Sequence, residues 1–198
     1  MPNWCNNVVT FRHENPEMIA KAIEGFGKGE LLNTFIPVAQ ELLDTVAGGV
    51  ADDKREVHEA QKASNIEKYG YKDWYDFCVA EWGTKWDIGD AGGIADYSQN
   101  ELLVNFDSAW SPPIGAYDKL MELGFEIEAY YYEPGMGFCG IWQDGSDCYY
   151  DIPENADDVA KVIPDALDDL FCISENMAEW ESDTVSYTHL TLPTNREV

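Results

Sequence analysis

Hydrophobic and polar positions change period several times along the chain, and each change predicts an element. Trp4–Phe11 carries Val8, Val9 and Phe11 and reads as a strand, because β-branched and aromatic side chains suit a pleated surface. Asn15-Pro16 offers a helix cap followed by proline at the first helical position. Met18, Ile19, Ala22 and Ile23 then recur at helical spacing until Gly25. Leu31–Val38 runs Leu31, Leu32, Phe35 and Ile36 into Pro37, as a short strand or an extended packing segment would, and Glu41–Val46 suits a turn of helix. From Asp52 to Gly83 the spacing is helical. Acidic residues stand at the start, where they complement the helix dipole, and Val57, Ala60 and Ala63 form a weak apolar side. Gly70 separates a second helix, Tyr71–Trp82.

The stretch 82–113 predicts a central hairpin feeding a helix. Trp82-Gly83-Thr84-Lys85-Trp86-Asp87 and Phe106-Asp107-Ser108-Ala109-Trp110 are aromatic-rich, and Gly89–Asn100 between them is glycine-rich and polar. Pro112-Pro113 cannot extend a strand ladder but can open the helix Ile114–Leu123, which Gly124 stops. Phe125, Ile127, Ala129 and Tyr131 alternate with polar or partly polar neighbours, as in a strand with one buried face. Gly137–Trp142 and Cys148–Ile152 flank Asp144-Gly145, a strong hairpin signal. Strands, helix and strands again predict an α+β fold: an antiparallel sheet with helices on one face, residues 52–82 being a helical insertion. Residues 1–152 are expected to form this domain. Residues 153–184 are expected to add two short helices broken at Pro164, with Val159, Val162, Ile163, Leu167, Leu170 and Phe171 inward. Asp157, Asp158, Asp165, Asp168, Asp169 and Glu175 would form an acidic outer surface.

Charge changes the picture most. The chain carries 38 acidic and 12 basic residues, a net charge of −26, and residues 101–184 hold 20 of the acidic and only 2 of the basic ones. Such a chain repels phosphate backbones and is drawn to basic surfaces. Tyr130, Tyr132, Tyr149 and Tyr150 could stack on bases, but the surrounding carboxylates oppose direct nucleic-acid binding. The 45% hydrophobic content is that of a folded protein. No secretory signal is expected from Met1-Pro2-Asn3-Trp4, and no run reaches the length of a membrane span. Five dispersed cysteines without a C-x-x-C pair predict buried thiols in a reducing cytoplasm. The string from Val185 to Thr194 looks like a translated sequencing adapter, so residues 185–198 are expected to carry no function and the natural terminus to lie elsewhere.

Candidate chemistry is sparse. Neither His13 nor His58 has a second histidine or a cysteine within a few residues, so no metal or cofactor is expected. Asp87, Asp90 and Asp96 lack the register of a calcium loop. Cys139 and Cys148 would share one face of the Asp144-Gly145 hairpin, as packed thiols rather than a disulfide. No nucleophile elbow, P-loop or dinucleotide fingerprint occurs, and no carboxylate pair stands out among so many. The distinctive group is Lys85, a lone cation between Trp82 and Trp86 and near Asp87, Asp107 and Trp110. It is expected either to fix the hairpin through an ion pair or cation–π contact, or to meet a ligand.

Met-Pro-Asn-Trp-Cys-Asn-Asn (1–7), Trp-Gly-Thr-Lys-Trp-Asp (82–87) and Phe-Asp-Ser-Ala-Trp-Ser-Pro-Pro (106–113) together carry a resemblance. Over residues 1–152 the chain resembles the YubB-type ferredoxin-like domain proteins of bacteriophages and conjugative plasmids. The resemblance implies a βαββαβ fold and a mobile-element context; the family's function is unknown, so it supplies no catalytic residues. The first functional expectation is therefore a cytoplasmic, non-enzymatic accessory protein. It would bind a basic host protein through its acidic surface, in the pointed case as a DNA mimic. The alternative is a small-ligand or nucleotide-binding module, with or without hydrolysis, whose pocket is lined by Trp82, Lys85, Trp86 and Trp110.

Overall fold

The computed structural model describes residues 3–190, and within them all side chains except those of 91 and 183–190. Strand β1 (Trp4–Arg12) is followed by helix α1 (Pro16–Gly27), where Asn15 Oδ1 accepts the Glu17 amide at 3.0 Å as the cap requires. Four helices follow before the next strand: α2 (Leu31–Phe35), α3 (Gln40–Leu43), α4 (Arg55–Tyr69) and α5 (Trp74–Glu81). Strands β2 (Ile94–Tyr97) and β3 (Glu101–Ala109) lead to α6 (Ile114–Glu122). Strands β4 (Glu126–Glu133), β5 (Phe138–Gln143) and β6 (Ser146–Asp151) then precede three helices, α7 (Val159–Val162), α8 (Asp165–Phe171) and α9 (Ile173–Leu190).

Among the described residues the strands form one antiparallel sheet in the order β2-β3-β1-β4-β5-β6. The β1-α1-β2-β3-α6-β4 succession is the βαββαβ arrangement of the ferredoxin-like fold, with β5 and β6 added at the β4 edge. One face of the sheet presents Val9, Phe11, Leu102, Val104, Ile127, Ala129 and Trp142 to α1 and α6, which contribute Ile19, Phe26, Tyr117 and Leu120. Each Val, Leu, Ile or Phe side chain among them, once fully buried, contributes roughly 1.5–3 kcal/mol. The C-terminal helices lie on the other face. Val159, Ile163, Leu167 and Ile173 pack there against Cys139 and the partly buried Tyr130, Tyr132, Ile141 and Tyr150.

Several elements differ from the sequence expectation, each for a tertiary reason. Trp82–Asp87 is not a strand, and the first strand of the hairpin is β2, inside the segment expected to be a connection. Trp82 ends α5, its indole buried and donating to Ile36 O at 3.1 Å, and Gly83 turns the chain with φ 81°. Leu31–Phe35 is a helix. Gly25 lies inside α1, which runs to Gly27, because a Cβ there would stand 2.6 Å from Thr34 Oγ1; the missing side chain admits α2. In α4 the weak apolar side stays in solvent, with Val57 exposed; the buried residue is Asn65, held by Thr45 Oγ1 and Lys72 O. The acidic segment breaks at Cys172 (φ 51°) as well as before Asp165, so Val162 and Leu170 remain exposed. Of the adapter-like tail, residues 185–190 continue α9 and residues 191–198 lie outside the described residues, as do Met1 and Pro2.

The Asp144-Gly145 hairpin forms as expected, with both residues at positive φ and Ile141 opposite Cys148. Beside it, Gly140 leaves room for the Tyr131 ring: a Cβ there would stand 2.2 Å from Tyr131 Oη. The ring thereby crosses β5, and its hydroxyl donates to Asp147 on β6 at 2.7 Å. Cysteine burial is mixed. Cys5, Cys78 and Cys139 are buried, whereas Cys148 and Cys172 are exposed, and all five are free thiols. Burial pushes the Cys5 and Cys78 thiols up to about 12 and Cys139 to about 11. A thiol reagent at pH 8 should therefore label Cys148 and Cys172 in the folded protein and reach the other three only on unfolding. Mass spectrometry of the labelled peptides checks this, and rapid labelling of Cys139 would contradict its packing beneath α8.

Candidate functional site

Strand β2 stops pairing at Ile94 opposite Val104, while β3 continues to Ala109. Alongside the half of β3 that β2 leaves unpaired, the connection 84–93 runs without a ladder of its own. Thr84 Oγ1 takes one partner's place, accepting from Ala109 N and donating to Ala109 O, both at 3.1 Å. Two glycines let the connection lie close. A Cβ on Gly93 would stand 2.2 Å from Asn105 O, and one on Gly89 (φ 136°) 2.3 Å from Phe26 O.

Between this connection and the ends of β1 and β3 opens a cleft of 630 Å³. Trp4 and Trp86 stand at its mouth with ring centroids 5.8 Å apart, and Phe171 at the end of α8 borders it. Its polar lining is mostly amide and carboxylate: Asn6, Asn7, Asn105, Asp87, Asp90 and Asp107. Asp107 accepts from Asn6 Nδ2 at 2.6 Å, and Asp90 accepts from Gly92 N at 3.1 Å. Asn7 is buried, its Nδ2 donating to Cys5 O at 2.7 Å and Ser108 Oγ at 2.9 Å.

The other named residues divide by role. Asp87 is a scaffold group. Its Oδ1 accepts from Leu32 N at 2.7 Å and Ile88 N at 2.8 Å, and its Oδ2 accepts from Asn33 N at 2.9 Å, so it satisfies the open first turn of α2. Burial raises its pKa and the three amides oppose the rise. Both oxygens are engaged in holding the turn. Trp82 is 4% exposed and belongs to the core. Lys85 sits among aromatic faces, its Nζ 4.5 Å from the Trp86 ring, 5.3 Å from Trp110 and 5.8 Å from Tyr75. Among the described residues it forms no ion pair with Asp87 or Asp107, and its contacts with the three rings are of the cation–π kind. Trp110 reaches it from a positive φ of 70°.

Lys85, Trp86 and Trp110 therefore meet, Asp87 and Asp107 line the adjoining cleft, and Trp82 faces inward. Trp4, Tyr75 and Phe171 join the site without having been singled out in the sequence. Trp4 had a signal, since it opens the strand expected at Trp4–Phe11 and lies in the motif 1–7; Tyr75 and Phe171 arrive from distant helices. The site can hold a cation or a donor-rich group against aromatic faces and carboxylates. Among the described residues no group of three or more His, Cys, Asp or Glu side chains is placed to hold a metal.

The acidic residues of the C-terminal segment also divide. Asp157, Asp165, Asp169 and Glu175 are exposed. Asp158 pairs with Lys161, and Asp168 accepts from Ser174 N and Ser174 Oγ, both at 2.7 Å, near the start of α9.

Comparison with known proteins gives a limited match. A family model described as the ferredoxin-like domain in Api92-like protein matches residues 81–162, from the end of α5 through the strands β2–β6 to α7. The match takes in the whole of Trp-Gly-Thr-Lys-Trp-Asp (82–87) and Phe-Asp-Ser-Ala-Trp-Ser-Pro-Pro (106–113), and leaves out the amino-terminal motif. A crystal structure of a protein api92 from Yersinia pseudotuberculosis is similar over 77% of this chain and 99% of that one, at 13% identity and a TM-score of 0.38. No curated protein matches the chain.

Proposed function

We propose that this is a non-enzymatic accessory protein of a phage or plasmid that binds a basic host protein through its acidic surface. One observation carries the proposal. Between Lys119 and Lys161 the chain has no lysine or arginine and ten acidic residues, of which nine reach the surface and Glu133 is buried; this run builds β4, β5 and β6 and leads into α7. Beyond it, Asp165, Asp169 and Glu175 extend the same charge over exposed positions. A field of one sign over so large a surface steers oppositely charged partners and repels like ones. A host DNA-binding protein is the pointed case, since its basic patch is already shaped for a dense row of negative charge. Work in the host cytoplasm belongs to the same proposal; no helix among the described residues is long and apolar enough to cross a membrane.

Capture from a bacterial host lysate with the full chain should retain a basic protein at low salt and lose it near 0.5 M salt, where charges are screened beyond about 4–5 Å. Retention unaffected by salt, or no retained partner, would overturn the reading. A second reading, a small ligand held at the tryptophan-rich cleft, is favoured by the cleft itself, whose volume falls within the roughly 300–1,000 Å³ of small-molecule sites. Its carboxylate lining suits a cationic ligand better than a nucleotide. Tryptophan fluorescence titrated with a nucleotide and with an alkylguanidinium separates these, the second being expected to quench Trp86 and the first to leave it unchanged.

A further inference from the structure

The sheet ends at β6, and the outer side of that strand is open. Residues 146–149 and 151 are exposed, and no described strand lies beyond it. The two-residue turn Asp144-Gly145 makes Gln143 and Ser146 a hydrogen-bonded pair, so every second residue of β6 bonds back to β5. The Ile152 amide continues that ladder, donating to Gly137 O at 2.8 Å. The backbone N–H and C=O groups of Asp147, Tyr149 and Asp151 consequently point away from the sheet. Among the described residues none of them has a backbone partner outside the sheet.

Such edges are commonly blunted by lysine, proline or a bulge. Strand β6 has no lysine and no proline, and its pairing with β5 continues without a register shift. What it carries is acid. Asp147 and Asp151 flank Tyr149 on one face, with Asp144 and Glu154 just outside the strand, and none of the four is in an ion pair among the described residues. A second copy laid antiparallel about Tyr149 would set Asp147 against Asp151 at both ends, and like charges directly opposite are destabilising. An extended segment with lysine or arginine at alternate positions would instead place a cation opposite each carboxylate while its backbone completes the ladder.

We propose that β6 is a strand-addition edge that docks an extended, basic segment of a protein partner. The proposal rests on the acidic-surface reading above and gives it a place and a geometry. The test uses the 15N-labelled full chain and an acetylated Lys-Val-Lys-Val-Lys-Val-Lys peptide, with a Glu-Val repeat as control. The lysine peptide should slow amide exchange at Asp147, Tyr149 and Asp151 by tenfold or more, and the glutamate peptide should not. Tyr149→Pro removes an outward N–H and no bond to β5, so the sheet should stand while peptide affinity falls at least tenfold. Should that variant fail to fold, the exchange data on the unaltered chain still decide, and Asp147→Asn with Asp151→Asn should weaken binding at least fivefold at low salt. Binding without protection at the three amides, or no binding, overturns edge docking. The salt-dependent capture of a basic host protein, read separately, decides the broader reading.

Discussion

Replacing Asp87 by alanine is expected to lower stability by roughly 2–4 kcal/mol, because two amides of α2 and the Ile88 amide lose their acceptor together. The carboxylate joins the start of the connection 84–93 to a helix 55 positions earlier in sequence, so its loss releases both. Leu31 and Leu32 are buried in the core just below, and loosening that turn exposes them. Asp87→Asn should recover only part of the loss. Its amide nitrogen would face the N–H of Asn33 or Leu32, a donor against a donor. Urea unfolding followed by circular dichroism measures both variants. A midpoint unchanged for Asp87→Ala would mean that water replaces the carboxylate at no cost, and the scaffold role assigned to this residue would be withdrawn.

Gly89→Ala is expected to cost at least as much, roughly 3 kcal/mol or more. Two penalties act at once. A φ of 136° lies where L-residues are rarely found, and the added Cβ would stand 2.3 Å from Phe26 O, an atom of helix backbone that cannot swing aside. Relief requires the connection to lift from α1, which widens the cleft beside Asn105 and Asp107. Gly92→Ala is the control: its Cβ would find the nearest atom at 3.7 Å, in the side chain of Asp90, so its effect should be small. Thermal unfolding of the two variants side by side tests the contrast. Equal melting temperatures for both would show that the connection is not held against α1.

Legibility of the fold followed the range over which each signal acts. The alternation Phe125-Ile127-Ala129-Tyr131, the Asn15-Pro16 cap and the Asp144-Gly145 turn are local devices, and all three occur where the sequence places them. Trp82–Asp87 misled because aromatic weight is shared by strands and by helix ends packed into a core; Gly83 and the Ile36 carbonyl, one local and one remote, decide between them. The helical state of Leu31–Phe35 depends on Asp87, which no window around residue 31 contains. At the site, Lys85, Trp86 and Trp110 were legible as a group in the sequence. Tyr75 and Trp4 join them only once α5 and β1 have been placed.

Tyr131 spans β5 to reach Asp147, passing over the space that Gly140 leaves empty. The outermost strand is thus riveted to one two places inward, and peeling it away would strip a buried ring as well as a backbone ladder. The rim of the plate should open only with its middle, keeping its regular spacing where a lone hairpin would fray.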